Sequence, residues 1–317
     1  MDKLRVAVIG VGSLGQHHAR VFATLPEVEL VGVVDVNEAQ VRRIAERHNC
    51  PAFTDYHAVL DRINAASIAV PTVNHYEIAR ELLQKRIHTF IEKPITTDAG
   101  QARELVSISQ KKSLILQVGH IERFNPAVIK AQQFINEPRY IETLRLGPYD
   151  SRTAQTGVVL DLMIHDLDIV LFLVNSEVVA IDAIGTPLLT DHEDIATCHL
   201  NFKNGCVANI TASRVTEEKM RKIRIFQKDA YLSLDYAAQK LKVVRKRSSS
   251  KIVRSMHDIE IIRPRLKKSD QLTLELSAFV ESVRHGREPV VSGEHGLNAL
   301  ELGLKILDKI RETYGKL

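Results

Sequence analysis

A chain of 317 residues can bury a full core and is long enough for two domains. Its 44% hydrophobic and 26% charged residues set aside disordered and fibrous classes, and no apolar run approaches the ~20 residues of a membrane helix. The net charge of +4 excludes neither an anionic nor a neutral ligand, although residues 219–268 hold sixteen Lys and Arg against four Asp and Glu.

In chain order, the apolar residues 4–9 read as a strand running into Gly10-Val11-Gly12-Ser13-Leu14-Gly15 and then a helical pattern over 15–25. Residues 4–9 are too short for a signal-peptide core, which makes the cytoplasm the expected compartment. Gly10 suits a tight turn, Gly12 a backbone that approaches a pyrophosphate, and Gly15 the close packing of helix on strand. Ser13 and Leu14 complete the cradle, with the helix N-terminus facing the anion. A second strand ends at Asp35, 20 positions after Gly15, where a carboxylate accepts hydrogen bonds from ribose hydroxyls and repels a 2′-phosphate. Val36, Asn37 and Glu38 follow it with no cation, so the expected cofactor is NAD rather than NADP.

Strands at 4–9, 29–34, 66–70, 89–91 and 114–118 alternate with helices at 15–25, 38–48, 56–61, 75–85 and 98–111, a doubly wound parallel sheet. Ligands of such sheets lie at the carboxyl ends of strands. Pro71, Thr72 and His75, then Glu92-Lys93-Pro94, then Gly119 stand there as further cofactor contacts. Lys93 is placed to steady a developing alkoxide.

After Asn125-Pro126 the pattern changes. A helix over 127–135, a strand over 140–146 and a long helix over 158–173 precede strands at 179–185, 195–202, 206–213, 222–227, 230–235 and 240–244. The Lys203-Asn204-Gly205 tip is a hairpin signal, and residues 271–285 and 296–314 read as two amphipathic helices. The expected architecture is a Rossmann domain over 1–122 and an α+β domain over 123–317 with a large open, mainly antiparallel sheet. An uncovered sheet face asks for a partner, so a homodimer or homotetramer through that sheet is expected. Phe226, Tyr231 and Tyr236 precede the densest basic charge and fit strands, so no nucleic-acid partner is expected. Cys50, Cys198 and Cys206 lack paired spacing and no His and carboxylate cluster has zinc spacing, so neither a disulfide framework nor a metal is expected.

Within the long helix, Asp161 and His165 are four apart and share a face. Imidazole suits a general base that takes an alcohol proton, with Asp161 orienting it or touching substrate. Asp166 and Asp168 fall on other faces and leave open a solvated acidic stripe.

The glycine turn, Glu92-Lys93-Pro94, Gly119 with Arg123-Phe124-Asn125-Pro126, and Asp161-x-x-x-His165 occur in one order, and in this the chain resembles the glucose-fructose oxidoreductase, inositol dehydrogenase and MocA family throughout. The resemblance extends to Phe279-Val280-Glu281 and Gly286-Arg287-Glu288-Pro289-Val290. It implies two domains, a nicotinamide cofactor, and hydride exchange at a sugar or polyol hydroxyl with Lys93, Asp161 and His165 as the catalytic positions. It further implies a cis bond before Pro94. Glu122-Arg123 and Thr156-Gly157-Val158-Val159 depart from the paired arginines and the glycine run of many members, which bears on substrate identity. The strings around Gly119, Arg145-Leu146-Gly147-Pro148 and Asn209-Ile210-Thr211-Ala212-Ser213-Arg214 resemble a branch that includes UDP-N-acetylglucosamine 3-dehydrogenases. A diphosphate-linked substrate would then meet Arg123, Asn125, Arg152 and Arg214, since guanidinium suits phosphate. Free sugars or inositols are the alternative substrates, and an NAD-sensing protein without turnover is the alternative class.

Overall fold

The computed structural model describes residues 2–150, 155–247, 253 and 255–314. The chain divides into two units: residues 1–121 with 270–300, and residues 122–269 with 301–317.

The first unit is built on β1 (Leu4–Ile9), β2 (Val28–Val34), β3 (Ala52–Phe53), β4 (Ala65–Ile68), β5 (His88–Glu92) and β6 (Leu116–Gly119), in the order β3-β2-β1-β4-β5-β6. All are parallel. Sequence order reverses between β1 and β4, the switch point at which a doubly wound sheet opens its crevice. Helices α1 (Gly15–Thr24), α2 (Glu38–His48), α3 (His75–Gln84) and α4 (Ala99–Lys111) connect the strands. Both faces of such a sheet are covered, so its strands are apolar throughout: Val6, Val8, Ile68, Phe90 and Ile91 are fully buried.

The sequence reading placed the whole tail in the second domain, and here the structure corrects it. Helix α7 (Gln271–His285) buries Leu276, Phe279 and Val280 in the core formed by Val6, Val8, Phe22 and Phe90. A short bridge from Gln117 to Ser292 extends the β6 edge. The apolar stripe of α7 was legible; which sheet it covers is a tertiary choice.

The second unit carries an eight-stranded sheet of β7 (Pro138–Leu146), β8 (Val178–Thr186), β9 (Ile195–Phe202), β10 (Val207–Ser213), β11 (Met220–Gln227), β12 (Ala230–Asp235), β13 (Lys240–Lys246) and β14 (Ile259–Ile262). Its order is β14-β13-β12-β11-β7-β10-β9-β8, antiparallel except for β7 beside β10. The expected fold class is observed in both units. Asn204-Gly205 forms the β9–β10 turn, with Gly205 at φ +83°. Helices α5 (Pro126–Ala131), α6 (Ile164–Val174) and the second half of α8 (Gly293–Tyr314) supply the apolar side chains Ala127, Leu167, Val170, Ile306 and Ile310, which pack with Ile141, Leu200, Ile210, Ile223 and Ile225 of the sheet.

The long helix expected over 158–173 is divided. Residues Val159–Met163 form a π-helical turn before α6 begins at Ile164. Widened turns of this kind are frequent at functional sites.

Candidate active site

In the first unit the glycine turn is locally determined. Gly10 sits at φ +85°, and a Cβ there would stand 2.7 Å from the Ala69 carbonyl oxygen, so only glycine fits. A Cβ on Gly15 would run into the Gly10 carbonyl, whereas one on Gly12 would meet nothing within 4 Å. Open space therefore stands over the Gly12 backbone. Ser13 and Leu14 are exposed at the start of α1, which has no side-chain cap and no acid in its first turn. Such a terminus is suited to an anion.

The Asp35 carboxylate accepts the N–H groups of Val11 (2.9 Å) and Asn37 (2.9 Å), tying the turn to the end of β2. Gly10, Gly12, Asp35, Val36, Val70 and Pro71 border one cavity of about 500 Å³. Val36 is 92% exposed there, an apolar surface with no protein partner. The residues fit a dinucleotide: a glycine cradle for the pyrophosphate, a carboxylate for the ribose and an apolar edge for the base. Thr72 opens the turn Thr72–Asn74 at the same strand end.

His75, read as a cofactor contact, has another task. It is 1% exposed, with Nδ1 3.0 Å from the Pro94 carbonyl and Nε2 2.9 Å from the Val70 carbonyl. Burial lowers its pKa despite these carbonyls. Its neutral ring has one N–H to donate and is enclosed between the Val70 and Pro94 carbonyls.

Lys93 is half-buried, ahead of a cis bond to Pro94. Its neighbour Glu92 is held by a residue the sequence reading passed over. His18 of α1 lies 1% exposed, its Nε2 3.0 Å from Glu92 Oε1 and its Nδ1 2.8 Å from Ser67 Oγ. Burial alone would raise the Glu92 carboxyl, yet the His18 hydrogen bond and the Lys93 charge hold it below its usual range. The signal was present in Gly15-x-x-His18, one turn into the helix, but nothing local says that the ring meets a strand two crossovers away.

In the second unit Asp161 lies in the π turn and His165 in the first turn of α6, both half-buried. An i→i+5 turn brings residues four and five apart onto one face, so the pair stays aligned. The start of the segment is anchored by Glu193, whose carbonyl accepts the Val158 N–H at 3.0 Å and whose Oε1 accepts the Val159 N–H at 3.1 Å. A Cβ on Gly157 would collide with that carboxylate, so the position calls for glycine.

The arginines read as phosphate contacts are otherwise engaged. Arg123 donates to Asp168 from Nε (2.6 Å) and Nη2 (2.8 Å) and stacks on Phe172 at 3.9 Å. Arg214 donates to Asp194 (2.6 Å), the Thr156 carbonyl (2.6 Å) and Thr190 Oγ1 (2.7 Å). Asn125 accepts the Ala127 N–H as the cap of α5 and donates to Glu122 and the Tyr236 carbonyl. All three are buried, so their polar groups serve the fold. Arg152 lies outside the described residues. Nor is there a solvated acidic stripe: Asp166 is buried against Arg145 at 2.6 Å, and Glu122 reaches the same guanidinium at 3.3 Å.

Arg221 is a cation that sequence reasoning missed. It pairs in register with Arg145 across β11 and β7, on the face where Ile223 and Ile225 are buried. Burial and the Arg145 charge lower its pKa, opposed by the charges of Glu122, Asp166 and Asp161. Its guanidinium is half-buried and has no hydrogen-bond or ion-pair partner among the described residues. Among those residues no group of His, Cys, Asp and Glu could hold a metal ion.

The switch-point cavity, glycine turn and strand-end carboxylate define a Rossmann dinucleotide-binding protein. A model of an oxidoreductase family with an NAD-binding Rossmann fold, Gfo/Idh/MocA, matches residues 4–120, and the C-terminal domain model of that family matches residues 134–233. The UDP-N-acetylglucosamine 3-dehydrogenase of Acidithiobacillus ferrooxidans is 36% identical over 96% of this chain and 97% of its own length. Its solved structure superposes with a TM-score of 0.91 at 34% identity, covering 98% of this chain and 99% of that one. Myo-inositol 2-dehydrogenase of Thermotoga maritima is 26% identical over 98% of this chain and 97% of its own length. The chain belongs to the Gfo/Idh/MocA family of oxidoreductases.

Proposed function

We propose that the protein is an NAD-dependent dehydrogenase acting on a secondary hydroxyl of a nucleotide sugar, with C3 of UDP-N-acetylglucosamine the first substrate to test. The observation that carries this reading is similarity along almost the whole chain to an enzyme of that name, in a chain that has Lys93, Asp161 and His165. NAD, when bound, supplies the hydride acceptor. His165 takes the proton of the hydroxyl, Lys93 steadies the oxygen as charge develops on it, and Asp161 orients the imidazole.

Two features support the finer choices. Among the described residues the cofactor cavity is lined by Asp35, Asp55 and Glu77 and by no Lys or Arg, which favours a ribose hydroxyl over a 2′-phosphate. Arg221, whose guanidinium has no partner among the described residues, takes the place of Arg123 and Arg214 as the anion contact for a diphosphate. The inositol reading is favoured by the Thermotoga maritima relative, and an uncharged polyol would leave Arg221 without a role. Self-association through the sheet face opposite the helices belongs to the same proposal.

The test is NADH formation by purified protein with UDP-sugars, free sugars and inositols. Turnover with UDP-N-acetylglucosamine is expected. Turnover with free polyols alone overturns the nucleotide-sugar assignment, and NAD binding without turnover on any of them favours the sensing class.

A further inference from the structure

His18, Ser67 and Glu92 form a buried chain that the chemistry above does not use. Ser67 Oγ lies 2.8 Å from His18 Nδ1, and His18 Nε2 lies 3.0 Å from Glu92 Oε1. The other oxygen, Glu92 Oε2, accepts the Lys93 N–H at 3.2 Å. A carboxylate can only accept, so Nε2 carries a proton toward Glu92, and in the neutral ring the Ser67 hydroxyl donates to Nδ1. The order serine, histidine, carboxylate resembles that of hydrolases, but Ser67 is 0% exposed and can attack nothing.

The surroundings hold this chain from every side. The His18 ring meets Phe90 edge-on at 5.5 Å, and Phe90 meets Phe279 at 5.9 Å. Across the carboxylate stands Gly119, where a Cβ would be 3.0 Å from Glu92 Oε2. Three strand ends, β4, β5 and β6, are thereby joined to α1, the helix that opens on the glycine turn.

We propose that His18 is a positioning residue: through Glu92 it fixes the backbone of Lys93 and so sets where the Lys93 ammonium stands. The proposal rests on the role given to Lys93 above. Misplacing a reacting group by about 1 Å can cost on the order of 100-fold in rate, whereas the glycine turn itself would be untouched.

The test compares His18→Leu, His18→Gln and Ser67→Ala with the parent, using UDP-N-acetylglucosamine and NAD. In His18→Leu, kcat should fall roughly 10- to 100-fold, with NADH affinity, read by fluorescence, within about threefold. His18→Gln keeps an N–H for Glu92 and should recover most of the loss, and Ser67→Ala should lose about threefold, the value of one neutral hydrogen bond. Without its donor, Glu92 takes up a proton more readily, so the ratio of kcat in His18→Leu to kcat in the parent should fall further as the pH falls, beyond the decline that protonation of the His165 base gives both. Added to Lys93→Ala, His18→Leu should cost nothing further. The rate at which acetic anhydride labels Lys93, read by mass spectrometry without substrate, should change in His18→Leu and return in His18→Gln. Unchanged labelling overturns the relay, as does full additivity with Lys93→Ala. Altered labelling with full turnover in Lys93→Ala overturns the catalytic assignment and leaves the relay standing. Should His18→Leu not fold, Ser67→Ala carries the test: a loss of about threefold with altered Lys93 labelling is expected, and parental turnover with unchanged labelling overturns the relay.

Discussion

In the first unit the polar side chains of the candidate site stand at the carboxyl ends of parallel strands beside a cavity, with Asp35 and Pro71 on its wall. In the second, Arg123, Arg145 and Arg214 are closed inside the protein on Asp168, Asp166 and Asp194. The Asp35 carboxylate borders open space, whereas these three guanidinium groups are each met by a buried carboxylate. A backbone cradle is a local object that six consecutive residues determine, whereas the destination of an arginine depends on which acid the fold brings to it. The sharpest way to break this comparison is to find ligand chemistry in the buried pairs or fold stability in the strand-end residues.

The largest effects are expected at the groups proposed to act on the substrate hydroxyl. Lys93→Ala and His165→Ala should each lower kcat about 10²- to 10⁴-fold while the unfolding midpoint in urea stays put. Full turnover in either variant refutes its role. Conversely, Arg145→Ala leaves Asp166 and Glu122 buried without their cation and should cost about 3–5 kcal/mol in denaturant unfolding. A stable variant with altered substrate affinity would place Arg145 with the ligand instead.

Intermediate effects sharpen the distinction. Arg221→Gln should raise KM for UDP-N-acetylglucosamine roughly tenfold, as the loss of a charged hydrogen bond implies, without changing KM for NAD; equal KM values remove it from the anion site. Asp35→Ala should weaken NAD binding by about tenfold and narrow the preference over NADP, measured by titration of both cofactors.

The smallest effect is a pH dependence. Burial opposes ionisation of Asp194, but the N–H groups of Leu188 and Leu189 and the Arg214 guanidinium outweigh it and hold the carboxyl well below its usual range. A depressed folded-state pKa gives stability that is complete above the unfolded value of ~3.9 and lost as the pH falls through the folded one. Urea unfolding between pH 6 and pH 2.5 should therefore show a steeper acid loss in the parent than in Asp194→Asn. Parallel curves would mean that Asp194 contributes nothing through its charge.

The sequence by itself determined the parallel sheet, the glycine turn, the Asn204-Gly205 hairpin and the order of Lys93, Asp161 and His165, because each is written in neighbours within a turn or a strand. It also marked Gly157, whose reason appeared only when Glu193 was found against it. Tertiary structure alone decided that α7 completes the first core, that Val159–Met163 widens into a π turn, and that Arg123 and Arg214 are buried in ion pairs while Arg221 is half-buried without one among the described residues. It also joined His18 to Glu92 across 74 residues of chain. Local propensity and periodicity act over a few residues, whereas a buried charge must be neutralised by whatever group the packing brings within about 3 Å.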